Sequence, residues 1–544
     1  MKLGIEHKRL LAKNSLFNLL GQVLPVPVVI LTVPYIVKGL GTNGYGILSI
    51  AWMVLGYFSM FDLGLSRATV KFVAEHLDPE KVHKVPELVW TSLLLLVGLG
   101  SLGGLVVAAL VPFSVSHVLK MPATFMSEAR TSLFILAASM PVLLGNDAIR
   151  GVLEAAQRFD LVNYVKVPAS VSFYVVAALV IPFGVHISGI VTLLVLIRFA
   201  SAVIYLSFCF RVFPDLKSNI RFSRAAVKPL TVFGGWIMVS NVTGPILSYL
   251  ERLLIASLLS LSMLTFYSAP FDLVSKLVVF PASMVATLFP YFSFHGTKGA
   301  DSVSEVTGRS LQYLMIIVLP AVAVFGFFAR PILQLWLGAQ FANVSTDVLR
   351  ILSVVFFLNC LAYVPYTSVQ ALGRPDLKAV LDLAAVPTFA ISVWIFVRLW
   401  GIDGAALAKL LITVIDCGFL YWFSYRMGSF SPRDLWSGRM RRSVVAGVGL
   451  LTVLCLLSRA HLGLQVVAGC ALLALLAYVA VVWGIVLEGA EKSAITGLVG
   501  ELTGSWFTGV RTGTGKGEPT LTGVAPVRAE TDGERRESIA RSSN

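Results

Sequence analysis

The sequence predicts an all-α integral membrane protein with about fourteen transmembrane helices: two parallel six-helix repeats forming N and C lobes around a central cavity, plus two extra helices. Three observations predict this class. The first is composition: 57% hydrophobic and 13% charged residues in 544, with a mean hydropathy of +0.83, leave too little polar surface to clothe a soluble globule. The second is run length. Apolar stretches of about 20 residues recur along the chain, each long enough to cross roughly 30 Å of hydrocarbon as a helix. They are continuous rather than alternating with period two, which excludes a membrane β-barrel.

The third observation is an internal repeat offset by about 215 residues. Glu154-Ala155-Ala156-Gln157-Arg158-Phe159-Asp160-Leu161 leads into an apolar span, then Gly184-Val185-His186-Ile187-Ser188-Gly189, then a span ending Phe208-Cys209-Phe210-Arg211. The second block replays it as Gln370-Ala371-Leu372-Gly373-Arg374-Pro375-Asp376-Leu377, Gly401-Ile402-Asp403-Gly404 and Phe423-Ser424-Tyr425-Arg426. Six crossings bring a block back to the side it left, so the two halves are expected as parallel repeats about an axis along the membrane normal, the plan of a transporter.

In chain order, the first repeat takes spans 15–37, 45–66, 88–112, 130–152, 161–182 and 189–210. The second takes 229–258, 264–292, 310–329, 346–370, 377–399 and 402–424, and the extra pair is 443–460 and 464–487. These give an N lobe over 1–211, a polar, basic linker over 212–228, a C lobe over 229–427, and a linker with the extra pair over 428–487. From 488 to 544 the composition turns to Gly, Thr, Ser, Arg and Glu with few aromatics, which predicts a disordered tail. Its Gly513-Thr514-Gly515-Lys516-Gly517 run lacks the spacing, the hydroxyl residue after Lys and the preceding strand of a phosphate loop. The N-terminus is basic and then apolar, with no small-residue cleavage pattern, and reads as a retained first helix.

The net charge of +14 is arranged for orientation rather than for nucleic acid. Cations crowd alternate loops: Lys2, Lys8, Arg9 and Lys13; Arg67, Lys71, Lys81 and Lys84; Arg211, Lys217, Arg221, Arg224 and Lys228; Arg433, Arg439, Arg441 and Arg442. The intervening loops carry only scattered ones such as Lys38, Lys120, Arg330 and Arg459. The positive-inside rule then places both termini in the cytoplasm. Five cysteines, Cys209, Cys360, Cys417, Cys455 and Cys470, lie in or at the ends of apolar spans with no paired spacing and read as small packing residues, so no metal and no cofactor is expected. Prolines interrupt several spans, among them Pro25, Pro27, Pro34, Pro281, Pro290, Pro365 and Pro387, where bent helices would suit a cavity that opens alternately.

Ionisable groups inside hydrocarbon cost roughly 2.5–3.5 kcal/mol each on insertion scales, so deep ones need a partner, a wet lumen or a function. Arg198 lies mid-span with no acid three or four positions away, so its partner must be another helix or an anionic ligand. Lys276 is mid-span and four residues after Asp272, an arrangement that allows an ion pair on one helical face. Glu251 and Arg252 are adjacent and cannot share a face. Arg150 completes the candidate substrate-binding set of Arg198, Arg252, Lys276 and Glu251; Asp62, Asp272, Lys409 and Asp416 are candidates for coupling or gating. Asp62, Arg67 and Arg150 lie near cytoplasmic ends, as do Asp147 and Asp382, where snorkelling to water is an alternative.

A specific resemblance rests on the run Gly44-Tyr45-Gly46, then Phe61-Asp62-Leu63-Gly64-Leu65 and Arg67-Ala68-Thr69-Val70-Lys71-Phe72. In the second half it rests on Tyr249-Leu250-Glu251-Arg252-Leu253-Leu254-Ile255 and on Tyr267-Ser268-Ala269-Pro270-Phe271-Asp272-Leu273-Val274-Ser275-Lys276-Leu277. Over roughly 10–427 the chain resembles the bacterial polysaccharide biosynthesis flippases of the multidrug, oligosaccharidyl-lipid and polysaccharide exporter superfamily. The resemblance implies alternating access of two lobes and movement of undecaprenyl-diphosphate-linked oligosaccharide to the outer leaflet of the bacterial cytoplasmic membrane. It implies Arg198, Glu251, Arg252 and Lys276 as cavity-facing groups. The implied partners are the lipid-linked sugar, membrane lipids, and a polysaccharide polymerase with other assembly proteins, but no nucleic acid. Members often carry Asp where this chain has Glu251, which keeps the carboxylate on a longer arm.

Three rivals are weakened by the same residues. A drug or cation antiporter of the superfamily commonly uses an acid in its first helix, and Ser15–Val37 contains none. A peptidoglycan-precursor flippase would carry arginines in its first two helices, and this first helix has none. A membrane polymerase, ligase or glycosyltransferase would present an acidic constellation outside the membrane, whereas the stretches 113–129 and 330–345 hold only His117 and Glu128.

Overall fold

A computed structural model of the chain describes residues 25–496, apart from 58–61, 63, 78–80, 296–299, 433–437, 461–462, 490 and 494–495. The basic cluster at Lys2, Lys8, Arg9 and Lys13, the start of the first span, Arg433, the run Gly513–Gly517 and nearly all of the expected tail lie outside those residues. Contacts divide the chain into a unit ending at Val482 and a second unit, Trp483–Asn544, of which few residues are described.

The described residues of the first unit are mostly helical, joined by short turns and irregular links. Its first half holds α1 (Pro25–Tyr57), α2 (Leu65–Glu75), α3 (Val85–Phe113), α4 (Ala123–Ala155), α5 (Phe159–Val180) and α6 (Ile187–Val212). The second half holds α7 (Arg224–Leu258), α8 (Leu261–Ser275), α9 (Val279–His295), α10 (Ala300–Phe327), α11 (Ala329–Leu337), α12 (Ala339–Ala371) and α13 (Pro375–Arg426). The extra pair is α14 (Gly438–Arg459) and α15 (Leu464–Val481). Ten helices among the described residues are long and apolar enough to cross a membrane. One of these runs is 51 residues long and bends at Gly401, whose φ of 60° is open to glycine without strain, so it carries two of the expected spans.

Within α1 the backbone leaves helical geometry at Gly41, φ 69°, between the expected spans 15–37 and 45–66, just as at Gly401. Three expectations are corrected. The span 45–66 does not run through to its expected end: the backbone turns at Gly64, φ 78°, and Leu65–Glu75 is a separate amphipathic helix whose entry is capped by Asp62, with Ser66 N donating to Asp62 Oδ1 at 2.8 Å. The span 264–292 divides into α8 and α9 around a 3-10 turn at Lys276–Val278. The stretch 330–345 is largely helix, in α11 and the start of α12. Hydropathy registers none of these breaks because apolar residues continue across them.

The repeat is visible in backbone detail. α4 ends with Arg158 N on Leu153 O and Gln157 in the left-handed region at φ 58°; α12 ends with Arg374 N on Val369 O and Gly373 at φ 84°. Both are Schellman-type stops. Each is followed by the same Arg-x-Asp clasp, Arg158 Nη2 to Asp160 Oδ2 and Arg374 Nη2 to Asp376 Oδ2, both at 3.0 Å.

Prolines tie the helices together. A helical proline lacks the N–H that would satisfy the carbonyl four residues earlier. In a membrane that carbonyl must find another donor. Pro34 frees Ile30 O, met by Trp336 Nε1 at 2.6 Å; Pro270 frees Phe266 O, met by Ser345 Oγ at 2.7 Å. Pro320 frees Ile316 O for Tyr478 Oη at 3.2 Å, and Pro365 frees Leu361 O for Tyr421 Oη at 3.4 Å. Pro281 frees Leu277 O for the Cys360 thiol at 3.7 Å, which gives one of the five cysteines a donor's role in addition to packing. The prolines thus act as interhelical docking points as well as bends.

Candidate functional site

A cavity of about 540 Å³ opens between the two halves. From the first half α1 supplies Trp52, α5 supplies Phe173 and Tyr174, and α6 supplies Arg198. From the second, α7 supplies Tyr249 and Arg252, α8 supplies Asp272, Lys276 begins the 3-10 turn, and α12 and α13 add Asn359, Tyr363 and Lys409. Positioning follows from local structure: the turn at Lys276–Val278, just before Pro281, places Lys276 at the break between two helices rather than on a continuous face.

Ion pairing inside the cavity is selective. Arg252 donates to Asp272 at 2.7 Å and lies over the Phe271 ring, 4.4 Å from its centroid. The Asp272–Lys276 pair that the spacing allows is not made: Asp272 takes a cross-helix partner instead, and Lys276 stands where α8 gives way to the 3-10 turn. Glu251 is fully buried behind the cavity wall, and Lys409 reaches it at 3.3 Å while also donating to Leu247 O. As adjacency requires, Glu251 and Arg252 face different partners.

Two pairs cancel, and two cations are left. Neither Arg198 nor Lys276 has a carboxylate at ion-pair distance among the described residues; each rests on an aromatic face instead. Arg198 lies 4.7 Å from the Phe173 centroid and Lys276 lies 5.9 Å from that of Tyr174, the next residue on α5. Arg198 Nε is buried without a hydrogen-bond partner. Cation–π contact replaces only part of a cation's hydration, so both groups remain open to an anion. Trp52 and Tyr174, 4.9 Å between centroids, make an aromatic wall beside them.

The other predicted residues sit elsewhere. Arg150 is held by Asp147 and Glu154, each at 3.2 Å, and is not among the lining residues. Asp62 caps α2 as described. Asp416 joins Asp382 on a single ammonium, that of Lys378, at 2.6 and 2.7 Å. Lys378 escaped the sequence reading: its partner four residues on was legible, but Asp416 is brought to it only by the bend at Gly401. The aromatic wall was likewise missed, because Trp and Tyr in an apolar span carry no sign of which face they take.

One end of the cavity is latched between the halves. Thr265 Oγ1 donates to Thr42 O at 2.6 Å and Ser262 Oγ to Thr42 Oγ1 at 2.8 Å. Lys120 N donates to Ala256 O at 3.1 Å, Leu261 N to Lys120 O at 3.3 Å, and Lys120 Nζ to Leu258 O at 2.7 Å. Gly46 lets α1 approach so closely that a Cβ there would meet Leu261 O at 2.5 Å. This end lies away from the basic loops. Among the described residues no group of three or more His, Cys, Asp or Glu could hold a metal ion.

Comparison with known proteins places this architecture. Over 418 residues the chain is 28% identical to a presumptive O-antigen transporter of Shigella flexneri, covering 77% of this chain and 98% of that protein. Its fold is similar to that of a MATE-family multidrug resistance transporter of the MOP superfamily in an inward-facing conformation, with a TM-score of 0.65 at 15% identity over 76% of this chain and 95% of the other. It is similar too to the lipid II flippase MurJ in an inward closed conformation, with a TM-score of 0.65 at 12% identity over 87% and 99%. The family model described as polysaccharide biosynthesis protein matches residues 11–294, more than half of the chain and all of α1–α9 but the last residue, so this multi-pass membrane protein belongs to the polysaccharide biosynthesis protein family.

Proposed function

We propose that this chain is a flippase that moves undecaprenyl-diphosphate-linked oligosaccharide across the bacterial cytoplasmic membrane by alternating access. The observation that carries the reading is the pair of uncompensated cations, Arg198 and Lys276, contributed by opposite halves to one cavity. A diphosphate is the complementary ligand: its oxygens accept from guanidinium and ammonium and replace water that the cavity walls exclude. Trp52 and Tyr174 offer flat faces to sugar rings, while the polyprenyl chain stays in the bilayer. Arg252–Asp272 and Lys409–Glu251 fix the second-half wall by neutralising one another, and no step calls for bond-making, so the chain acts as a carrier rather than an enzyme.

Both termini lie on the cytoplasmic side in this reading, by the basic loops. The latch around Thr42, Lys120 and Leu261 then closes the outer end. Transport rocks residues 1–211 against 229–427 about the segment 212–228, breaking the latch as the inner end closes. Because the ligand bridges the halves, its release at the outer face accompanies the separation of Arg198 from Lys276. Arg150, Asp62 and the Lys378 cluster hold helix ends and contribute no ligand contact.

The test is the location of lipid-linked glycan in cells lacking the protein. Complete repeat units should accumulate on undecaprenyl diphosphate, inaccessible from the periplasm. Reintroducing the chain should restore export, and Arg198→Gln with Lys276→Gln at normal protein level should not. Normal export in the deletion strain, or accumulation of unfinished glycan, refutes the reading.

A further inference from the structure

A second, smaller crevice of about 520 Å³ lies between α10, α12 and α14, away from the central cavity and outside the repeat's own symmetry because α14 has no first-half counterpart. Its floor is apolar, formed in part by Val322, Phe327, Val354 and Leu451. Its mouth carries two arginines, Arg350 of α12 and Arg459 in the last turn of α14.

Depth along the helices places that mouth at a membrane surface. α14 has 22 residues, about 33 Å at 1.5 Å per residue, which spans the hydrocarbon once. Arg439, Arg441 and Arg442 occupy its other end, so Arg459 lies at the interface opposite the basic loops. The end of α10, at Gly326 and Phe327, lines the same crevice and fixes the same level.

The space is uncommitted, and the charge is only partly answered. Arg350 Nη1 binds Asp347 at 3.0 Å, a pair more than half exposed and weak for that reason. Arg459 has no ion-pair partner among the described residues. The two flanking hydroxyls, Ser353 and Ser458, donate to their own helix carbonyls and leave lone pairs rather than donors free. A Cβ built on Gly326 would meet nothing within 4 Å, so the glycine keeps the crevice open rather than easing a helix contact.

We propose that this crevice binds one anionic glycerophospholipid, its phosphate held between Arg350 and Arg459 and an acyl chain lying on the apolar floor. Two guanidinium groups at interface depth above a hydrocarbon-lined pocket match a phosphodiester with chains attached, since each can donate charge-assisted hydrogen bonds to phosphate oxygens. A zwitterionic lipid brings a quaternary ammonium that the two arginines repel. The bound lipid would fill the seam where α14 meets the C-lobe helices α10 and α12, joining the extra pair to the lobe that moves.

Native mass spectrometry of the full-length protein, given phosphatidylglycerol or phosphatidylcholine with the same acyl chains, tests this. Wild type should retain one more phosphatidylglycerol than phosphatidylcholine. Arg350→Gln with Arg459→Gln should lose that molecule, with binding at least about tenfold weaker. Gly326→Leu should lose it with both arginines intact, by filling the pocket. Arg398→Gln, an arginine stacked on Trp394 outside this crevice, should retain it. Cys455 lines the crevice, so its maleimide labelling should slow in phosphatidylglycerol and not in phosphatidylcholine. Equal retention by wild type and the double-arginine variant, unchanged retention in Gly326→Leu, or retention of undecaprenyl phosphate but not phosphatidylglycerol would each overturn the proposal.

Discussion

Replacing Lys409 with Met should damage this protein more than replacing its partner Glu251 with Gln, and the structure says why. Glu251 is 0% exposed and neither carboxylate oxygen has a hydrogen-bond donor among the described residues, so Lys409 at 3.3 Å, its one ion-pair partner there, supplies most of its compensation. Two unit charges at that distance attract by about 5 kcal/mol at an effective dielectric of about 20, and stranding one member of a buried pair costs roughly 3–5 kcal/mol. Lys409 is better provided for. Without Glu251 it still donates to Leu247 O and lies 5.0 Å from the Phe389 ring centroid, so Glu251→Gln should cost only about 1–3 kcal/mol. The double variant removes both charges and should recover at least half of the Lys409→Met loss. Thermal melting of the purified protein, followed by tryptophan fluorescence, should rank Lys409→Met lowest, clearly below the double variant. If Lys409→Met melts with Glu251→Gln or above it, the pair does not hold the second-half wall and the cavity's charge accounting is wrong.

The remaining predictions concern the frame of the site. Ser345→Ala should cost about 1–3 kcal/mol by stranding Phe266 O, and Pro270→Ala should relieve part of that loss by restoring the helical N–H; additivity of the two in melting experiments would refute the docking role of the proline. Gly46→Ala should force α1 off Leu261 O and open the latch, seen as several-fold faster maleimide labelling of a cysteine placed at Thr42 than in the Gly46 background; unchanged labelling would show that the latch tolerates the wedge. Gln157→Gly should stabilise the end of α4 by about 1 kcal/mol, since a left-handed residue with a side chain is strained there and the second repeat already has glycine at the matching place; a lower melting temperature would contradict that account.

The membrane class, the repeat and the list of deep charges were legible in the sequence because each depends on a quantity that local sequence carries: mean hydropathy, periodic punctuation, and the cost of a charge in hydrocarbon. Arg198, Arg252 and Lys276, read as substrate-binding candidates, and Asp272 and Lys409, read as coupling candidates, line one cavity with Glu251 directly behind it, since an ionisable residue in an apolar run has few places to go; Arg150, Asp62 and Asp416, picked out on the same ground, lie outside it. What the sequence could not supply was the pairing. Asp272 and Lys276 stand four apart in a run that reads as unbroken helix, yet the arrival of Arg252 from α7 gave Asp272 a different partner and left Lys276 without one. Lys378 and Asp416, 38 residues apart, meet only because the chain bends at Gly401. The break at Gly64 and the proline-freed carbonyls were hidden for the same reason: hydropathy averages over a face and a length, whereas the direction of a backbone dipole or a side chain is decided by the helix that packs against it. Which residues are charged is a property of the chain, and which charges remain unanswered is a property of the fold, because cancellation requires two groups within about 4 Å and only tertiary structure sets that distance.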